Sequence, residues 1–66
     1  MITKVGIVAG EIWSYLEQNG QVLLPELVSN IEHPRDTILM SLGWLAREGH
    51  VILETRDNSY LISLRK

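Results

Sequence analysis

The chain has 66 residues and no cysteine, so it must stabilise itself by packing helices and strands alone. Disulfides, thiolate nucleophiles and thiolate zinc sites are all excluded. A chain this short buries only about 60% of the surface that its unfolded form exposes, which predicts a thin core. Apolar residues make up 45% of the sequence and charged residues 21%, as in ordinary folded proteins. We therefore expect one small folded domain over residues 1–66.

The composition also limits the function. A core this small leaves little material for the walls of a catalytic pocket, so an enzyme is disfavoured and no cofactor is expected. Six Lys and Arg residues stand against eight Asp and Glu residues, with a formal charge of −2. This balance argues against a strongly basic nucleic-acid surface, although a local stripe of arginines matters more than the total. With no membrane span or secretory signal visible, we expect a soluble cytoplasmic binding module that does not engage a membrane.

The first segment predicts an amphipathic helix. It begins at Thr3, a typical N-cap residue, and ends at Asn19-Gly20. Apolar residues recur between these ends at spacings of three and four and form one stripe: Val5, Val8, Ala9, Ile12 and Leu16. Gly6 and Gly10 lie beside this stripe, one turn apart, where they would permit close approach by another element of the same chain or of a partner.

Two prolines mark the next two helices. Residues 21–24 are a short extended segment, and Pro25 begins a short helix that continues to Asn30. A tight turn over residues 30–33 precedes Pro34, which begins a longer helix. That helix ends at Glu48-Gly49, where glycine is the expected left-handed terminator.

The C-terminal segment predicts a β-hairpin. Two apolar runs flank Asp57-Asn58, a pair that suits a two-residue primed turn. This register pairs Thr55 with Tyr60, and it places five apolar side chains on one inward face: Val51, Leu53, Tyr60, Ile62 and Leu64. The opposite face carries the polar residues together with Ile52 and Leu61.

Helix, short strand, short helix, turn, longer helix and hairpin is the element order of a winged helix-turn-helix. We therefore predict a mostly α fold with three helices and a C-terminal wing. An apolar seam should join the paired helices through Leu27, Ile31, Ile38, Leu42 and Leu45. Residues 9–16 (AGEIWSYL) and 42–49 (LGWLAREG) also resemble signature stretches of a small prokaryotic family of winged helix-turn-helix domains whose function is unassigned. That resemblance implies DNA binding of the kind found in transcription regulators.

Double-stranded DNA is accordingly the first predicted partner, bound by a dimer. The third helix would enter the major groove, and the hairpin would contact the backbone. Arginine, threonine and serine side chains suit phosphate contact and base readout. The predicted nucleic-acid contacts are Arg35, Thr37, Ser41 and Arg47 on the helix and Arg56 at the hairpin tip.

A protein partner, or a second copy of the chain, is the alternative. Stepping 100° per residue from the predicted seam leaves Asp36, Met40, Gly43, Trp44 and Arg47 on the outer side of the third helix. Met40, Gly43 and Trp44, together with Leu39, would then form an apolar contact surface, since Trp and Met are enriched at interface cores. For Trp44 alone, we favour packing beneath the wing over an exposed anchor, because aromatic residues at helical spacing usually complete a core.

The two histidines do not suggest a metal site. His33 lies in the predicted turn and His50 at the start of the hairpin, and neither has a companion His or carboxylate at ligand spacing. We expect surface or capping roles for both and no bound metal.

Overall fold

A computed structural model describes residues 2–65, with the side chains of residues 4–65. It contains three helices and three strands, in the predicted order: α1 (Ile2–Asn19), β1 (Val22–Leu23), α2 (Leu24–Asn30), α3 (Arg35–Arg47), β2 (Val51–Arg56) and β3 (Ser59–Leu64). No helix within the described range has the length and apolar character that a bilayer crossing requires.

The helix ends follow the predicted signals, with small shifts. Gly20 (φ 72°) and Gly49 (φ 80°) adopt the left-handed conformation after α1 and α3, so both predicted stops are confirmed. The two helices that the prolines mark each begin one residue away from the predicted start. Helix α2 begins at Leu24 rather than Pro25, while Pro34 is the N-cap of α3 and not its first residue. Helix α1 begins at Ile2, so Thr3 lies within it and does not cap it; the Thr3 side chain is outside the described residues.

The strands form one antiparallel sheet in the order β1-β3-β2. The predicted hairpin register is confirmed, with Thr55 opposite Tyr60 and Val51 opposite Leu64. Asp57 (φ 49°) and Asn58 (φ 66°) make the two-residue turn with left-handed backbones, as a primed turn requires. Strand β1 adds to the other edge of β3, where Val22 pairs with Ile62. The short extended segment predicted before α2 is therefore β1, an edge strand of this three-stranded sheet.

The core lies between the three helices and one face of the sheet. All five predicted seam residues are buried, and they join four residues of the α1 stripe and three strand residues in one core: Val8, Ala9, Ile12, Leu16, Val22, Leu27, Ile31, Ile38, Leu42, Leu45, Val51 and Ile62. This arrangement is the predicted mostly α fold with three helices and a C-terminal wing.

The inward face of the hairpin was predicted only in part. Val51 and Ile62 are buried, but Leu53 and Tyr60 are 41% and 47% exposed, while Leu61, assigned to the outer face, is 7% exposed. Leu61 is covered because β3 is the central strand, which places Leu23 on one side of it and Glu54 on the other. Leu53 lies on an edge strand and Tyr60 near the hairpin tip, where less of the chain covers them.

Candidate functional site

Helix α3 is oriented by its apolar seam. Ile38, Leu42 and Leu45 recur at spacings of four and three, and all three are buried against the rest of the core. The opposite side of the helix therefore faces solvent. Its residues are, in sequence order, Asp36, Leu39, Met40, Gly43, Trp44 and Arg47, and all six are exposed.

The middle of this outer side is apolar. Met40 is 57% exposed and Trp44 is 48% exposed. The interpretation of Trp44 as a residue that completes the core is therefore wrong. The physical reason is that Leu45, the next residue along α3, occupies the seam, so that Trp44 is turned away from it. We call Leu39, Met40, Gly43 and Trp44 the α3 apolar patch.

Shallow grooves extend the α3 apolar patch on both sides. Toward α1, a groove of about 370 Å³ has Trp13 and Trp44 among its walls, with Gly6 and Gly10 also lining it. Toward the hairpin, a second groove of about 230 Å³ is lined by Leu39, Gly43, Leu53 and Tyr60, among others. Exposed apolar surface thus continues from α1 across α3 to the wing.

Three of these flanking residues, Trp13, Leu53 and Tyr60, are not among the site residues that the sequence predicts. The only available signal was that Trp13 borders the α1 stripe instead of lying within it. Gly6 and Gly10 do not bring another part of the chain close, since no described atom outside the helix itself lies within 4 Å of a Cβ placed on either residue. The close approach that these glycines would permit remains available to a second molecule.

Three exposed arginines lie beyond the ends of the α3 apolar patch and at the tip of the hairpin. Arg35 is the first residue of α3, Arg47 is the last, and Arg56 ends β2 at the hairpin tip. Each is followed in sequence by an exposed acidic residue, namely Asp36, Glu48 and Asp57 respectively. The positive charge at each of these points is therefore offset locally, and no basic residue lies between the ends of α3.

The two predicted hydroxyl contacts lie away from the outer side of α3. Ser41 is fully buried, and its hydroxyl donates a hydrogen bond of 2.8 Å to the Thr37 carbonyl oxygen. The Thr37 side chain is half-buried. Ser41 therefore presents no free hydroxyl to a DNA groove, which leaves Arg35, Thr37, Arg47 and Arg56 as predicted nucleic-acid contacts.

Two further side-chain contacts tie α1 to neighbouring segments. His33 Nε2 lies 3.2 Å from Glu11 Oε1 and links the turn before α3 to α1. The Tyr15 hydroxyl donates to Glu26 Oε2 at 3.0 Å, joining α1 to α2. Partial desolvation raises the pKa of Tyr15, and the hydrogen bond and the charge of Glu26 raise it further. Within residues 4–65, no three His, Asp or Glu side chains converge as a metal site would require.

Comparisons with known proteins agree with this fold. A family model described as "Winged helix-turn-helix domain (DUF2582)" matches residues 1–64. The solution NMR structure of protein BT2368 from Bacteroides thetaiotaomicron is similar, with a TM-score of 0.82 and 29% sequence identity. The similarity covers 94% of this chain and 76% of BT2368. No curated protein matches the chain. Because the family model spans nearly the whole sequence, the chain belongs to the DUF2582 family of winged helix-turn-helix domains.

Proposed function

We propose that this winged helix-turn-helix domain is a protein-interaction module whose contact surface is the α3 apolar patch. The observation that carries the proposal is the exposure of Met40 and Trp44 at the centre of the outer side of α3. A major groove offers mainly hydrogen-bond donors, acceptors and phosphates, which suit arginine, lysine, asparagine and glutamine. The middle of this helix offers none of those side chains, whereas Trp and Met are typical of the buried centre of a protein interface.

The extent of the surface supports the same proposal. The exposed parts of Trp13, Leu39, Met40, Trp44, Leu53 and Tyr60 together amount to roughly 500 Å² of side-chain surface, taking about 150–250 Å² for a complete large side chain. Contiguous apolar patches of about 300–600 Å² are the largest on ordinary monomers, and they often have a function. Asp36 and Arg47 at its two ends would supply a polar rim, as interfaces between proteins usually have.

DNA binding as a transcription-regulator-like protein is the second candidate. Its support is the exposure of Arg35 and Arg47 at the two ends of α3 and of Arg56 at the tip of the wing. These positions would reach phosphates on either side of a groove that α3 entered. The acidic neighbour of each arginine and the formal charge of −2 weaken this candidate, because non-specific affinity for DNA is mostly electrostatic.

Site-specific photocrosslinking in cells tests the interaction proposal. A photoreactive benzophenone amino acid replaces Met40, and the matched control carries it at Glu54, which alternates with Leu53 and so lies on the sheet face turned away from α3. We expect discrete protein adducts, identified by mass spectrometry, from position 40 only. Trp44→Ala should abolish these adducts, while Ile52→Ala, which truncates another exposed apolar residue, should leave them unchanged.

Fluorescence anisotropy with a random-sequence duplex tests the DNA candidate. A DNA-binding protein should lose affinity steeply as the salt concentration rises, and Arg47→Gln and Arg56→Gln should each make that dependence less steep. The interaction proposal expects no binding, even at low salt. Salt-dependent DNA binding by the purified chain, combined with an absence of adducts from position 40, would reverse the ranking of the two functions.

A further inference from the structure

The outer side of α3 carries an ordered pattern along its length. Asp36, Met40, Gly43 and Arg47 follow one another at spacings of four, three and four, so they lie along one line of the helix surface. Leu39 and Trp44 flank this line, one on each side. The line begins with the acidic Asp36 and ends with the basic Arg47. Between them, the bulky apolar Met40 comes before Gly43.

Two copies of this line of residues are complementary to each other when they run in opposite directions. Both pairs, Asp36 with Arg47 and Met40 with Gly43, are centred on the same point, midway between Ser41 and Leu42. A second α3 that runs antiparallel across this point would place its Arg47 opposite Asp36 and its Gly43 opposite Met40. Building on the proposed function, we propose that the partner of the α3 apolar patch is a second copy of this chain, bound through antiparallel α3 helices about a twofold axis.

The shapes fit this arrangement. Gly43 is exposed, and within the described residues no atom outside its own helix lies within 4 Å of a Cβ built on it. The space beside Gly43 is therefore open to the Met40 side chain of the second copy, and the glycine lets the two backbones approach closely. The twofold axis brings the two Trp44 side chains to one side of the helix pair and the two Leu39 side chains to the other.

The charges fit as well. Asp36 and Arg47 lie about 16 Å apart along α3, at the rise of about 1.5 Å per residue. The antiparallel arrangement therefore makes two equivalent Asp–Arg pairs, one at each end of the helix pair. A parallel arrangement would instead bring like charges together at both ends, which disfavours it.

The available area suits a dimer of modest affinity. The smallest stable interfaces bury about 600 Å² on each partner. The exposed surface of the α3 apolar patch and its flanking residues comes close to that value. We therefore expect a dimer with a Kd on the order of micromolar. Because the outer side of each α3 is covered in it, this dimer cannot insert α3 into a DNA groove.

Charge exchange between copies tests the arrangement by sedimentation equilibrium of the purified chain. Asp36→Arg alone and Arg47→Asp alone each place like charges at both ends of the homodimer, so each variant should dimerise about tenfold or more weakly than the original chain. An equimolar mixture of the two variants restores opposite charges at both ends, and we expect it to form a heterodimer of near-original affinity. The doubly exchanged chain should likewise form a homodimer again.

Two controls separate this result from general effects. Lys4→Asp and Glu54→Arg reverse exposed charges away from the outer side of α3 and should leave the dimer unchanged. Both α3 reversals also oppose the helix dipole, so far-ultraviolet circular dichroism must show that each variant stays folded. A folding defect in either variant would not be rescued by mixing the two.

A failure of the dimer is distinguishable from a failure of the proposed function. A chain that stays monomeric at about 100 times the expected micromolar Kd, or single variants that dimerise like the original, would overturn the dimer. A mixture that does not associate would overturn it too. If position 40 then still gave adducts with a different protein in cells, the interaction function would stand with another partner. A monomer without such adducts would refute both.

Discussion

The orientation of α3 can be tested by truncating two residues on its opposite sides. Ile38 is 0% exposed and Met40 is 57% exposed, although only two positions separate them. Ile38→Ala removes three buried carbon groups at about 0.8 kcal/mol each and leaves a cavity, so the free energy of unfolding should fall by about 3 kcal/mol. Met40→Ala removes a largely hydrated side chain and introduces a good helix former, so it should change that free energy by less than about 0.5 kcal/mol.

Urea denaturation followed by far-ultraviolet circular dichroism measures both values. At roughly 0.05–0.15 kcal/mol per residue, a chain of this length has a total stability of only about 3–10 kcal/mol, so Ile38→Ala falls near the limit of a measurable folded state. Ile38→Val should cost about 1 kcal/mol and keeps the transition measurable. The measurements should be made well below the Kd of the dimer, since association would add to the stability of the original chain. Equal losses for Ile38→Ala and Met40→Ala would refute the orientation of α3, and with it the contact surface.

Three further predictions concern the backbone and one hydrogen bond. Gly49→Ala should lower the free energy of unfolding by about 1–2 kcal/mol, because a Cβ is strained at a φ of 80°; thermal unfolding measures the loss, and an unchanged melting temperature would contradict the left-handed terminator. Asn58→Gly should raise the melting temperature, because glycine adopts the left-handed backbone at φ 66° without strain, whereas a lower melting temperature would argue against the primed turn. Folding raises the pKa of Tyr15 above the ordinary 10.0, so the neutral Tyr15 side chain stabilises the folded chain. This stabilisation is complete below about pH 10 and is lost as the pH rises through the raised pKa. In a Tyr60→Phe background, ultraviolet titration of tyrosinate should show a lower Tyr15 pKa after Glu26→Gln but not after Glu17→Gln; an unmoved titration in the first variant would rule out the contact between Tyr15 and Glu26.

Local patterns predicted the elements and the hairpin register well. The register follows from the Asp57-Asn58 turn, because a two-residue turn leaves each residue before it only one partner after it. The side of α3 that faces the core follows from Ile38, Leu42 and Leu45, since their spacing matches the helical repeat. These features depend on neighbours in sequence, which is why a pattern of residue types was sufficient to find them.

The candidate site was harder to predict than the fold. Trp44 was expected in the core because it is large and aromatic, yet its neighbour Leu45 occupies the seam and leaves Trp44 outside. Ser41 was expected to face DNA because of its residue type, but its place beside the seam buries it, and Thr37 satisfies its hydroxyl. In both cases, a general preference of the residue type was overridden by its angular position on α3 relative to the other elements.

Local sequence is enough to place the helix ends within about two residues, to pair the two strands of the hairpin, and to show which line of α3 turns inward, because these features depend on backbone preferences and on the repeat of each element. The burial of Leu61 but not of Leu53, and the exposure of Trp13, Trp44 and Tyr60 along the grooves beside α3, are settled by the folded chain as a whole. Such features depend on which distant segments cover a side chain. Coverage is set by the order of the strands in the sheet and by the packing of α1 and the wing beside α3, and no local spacing of residues records either one.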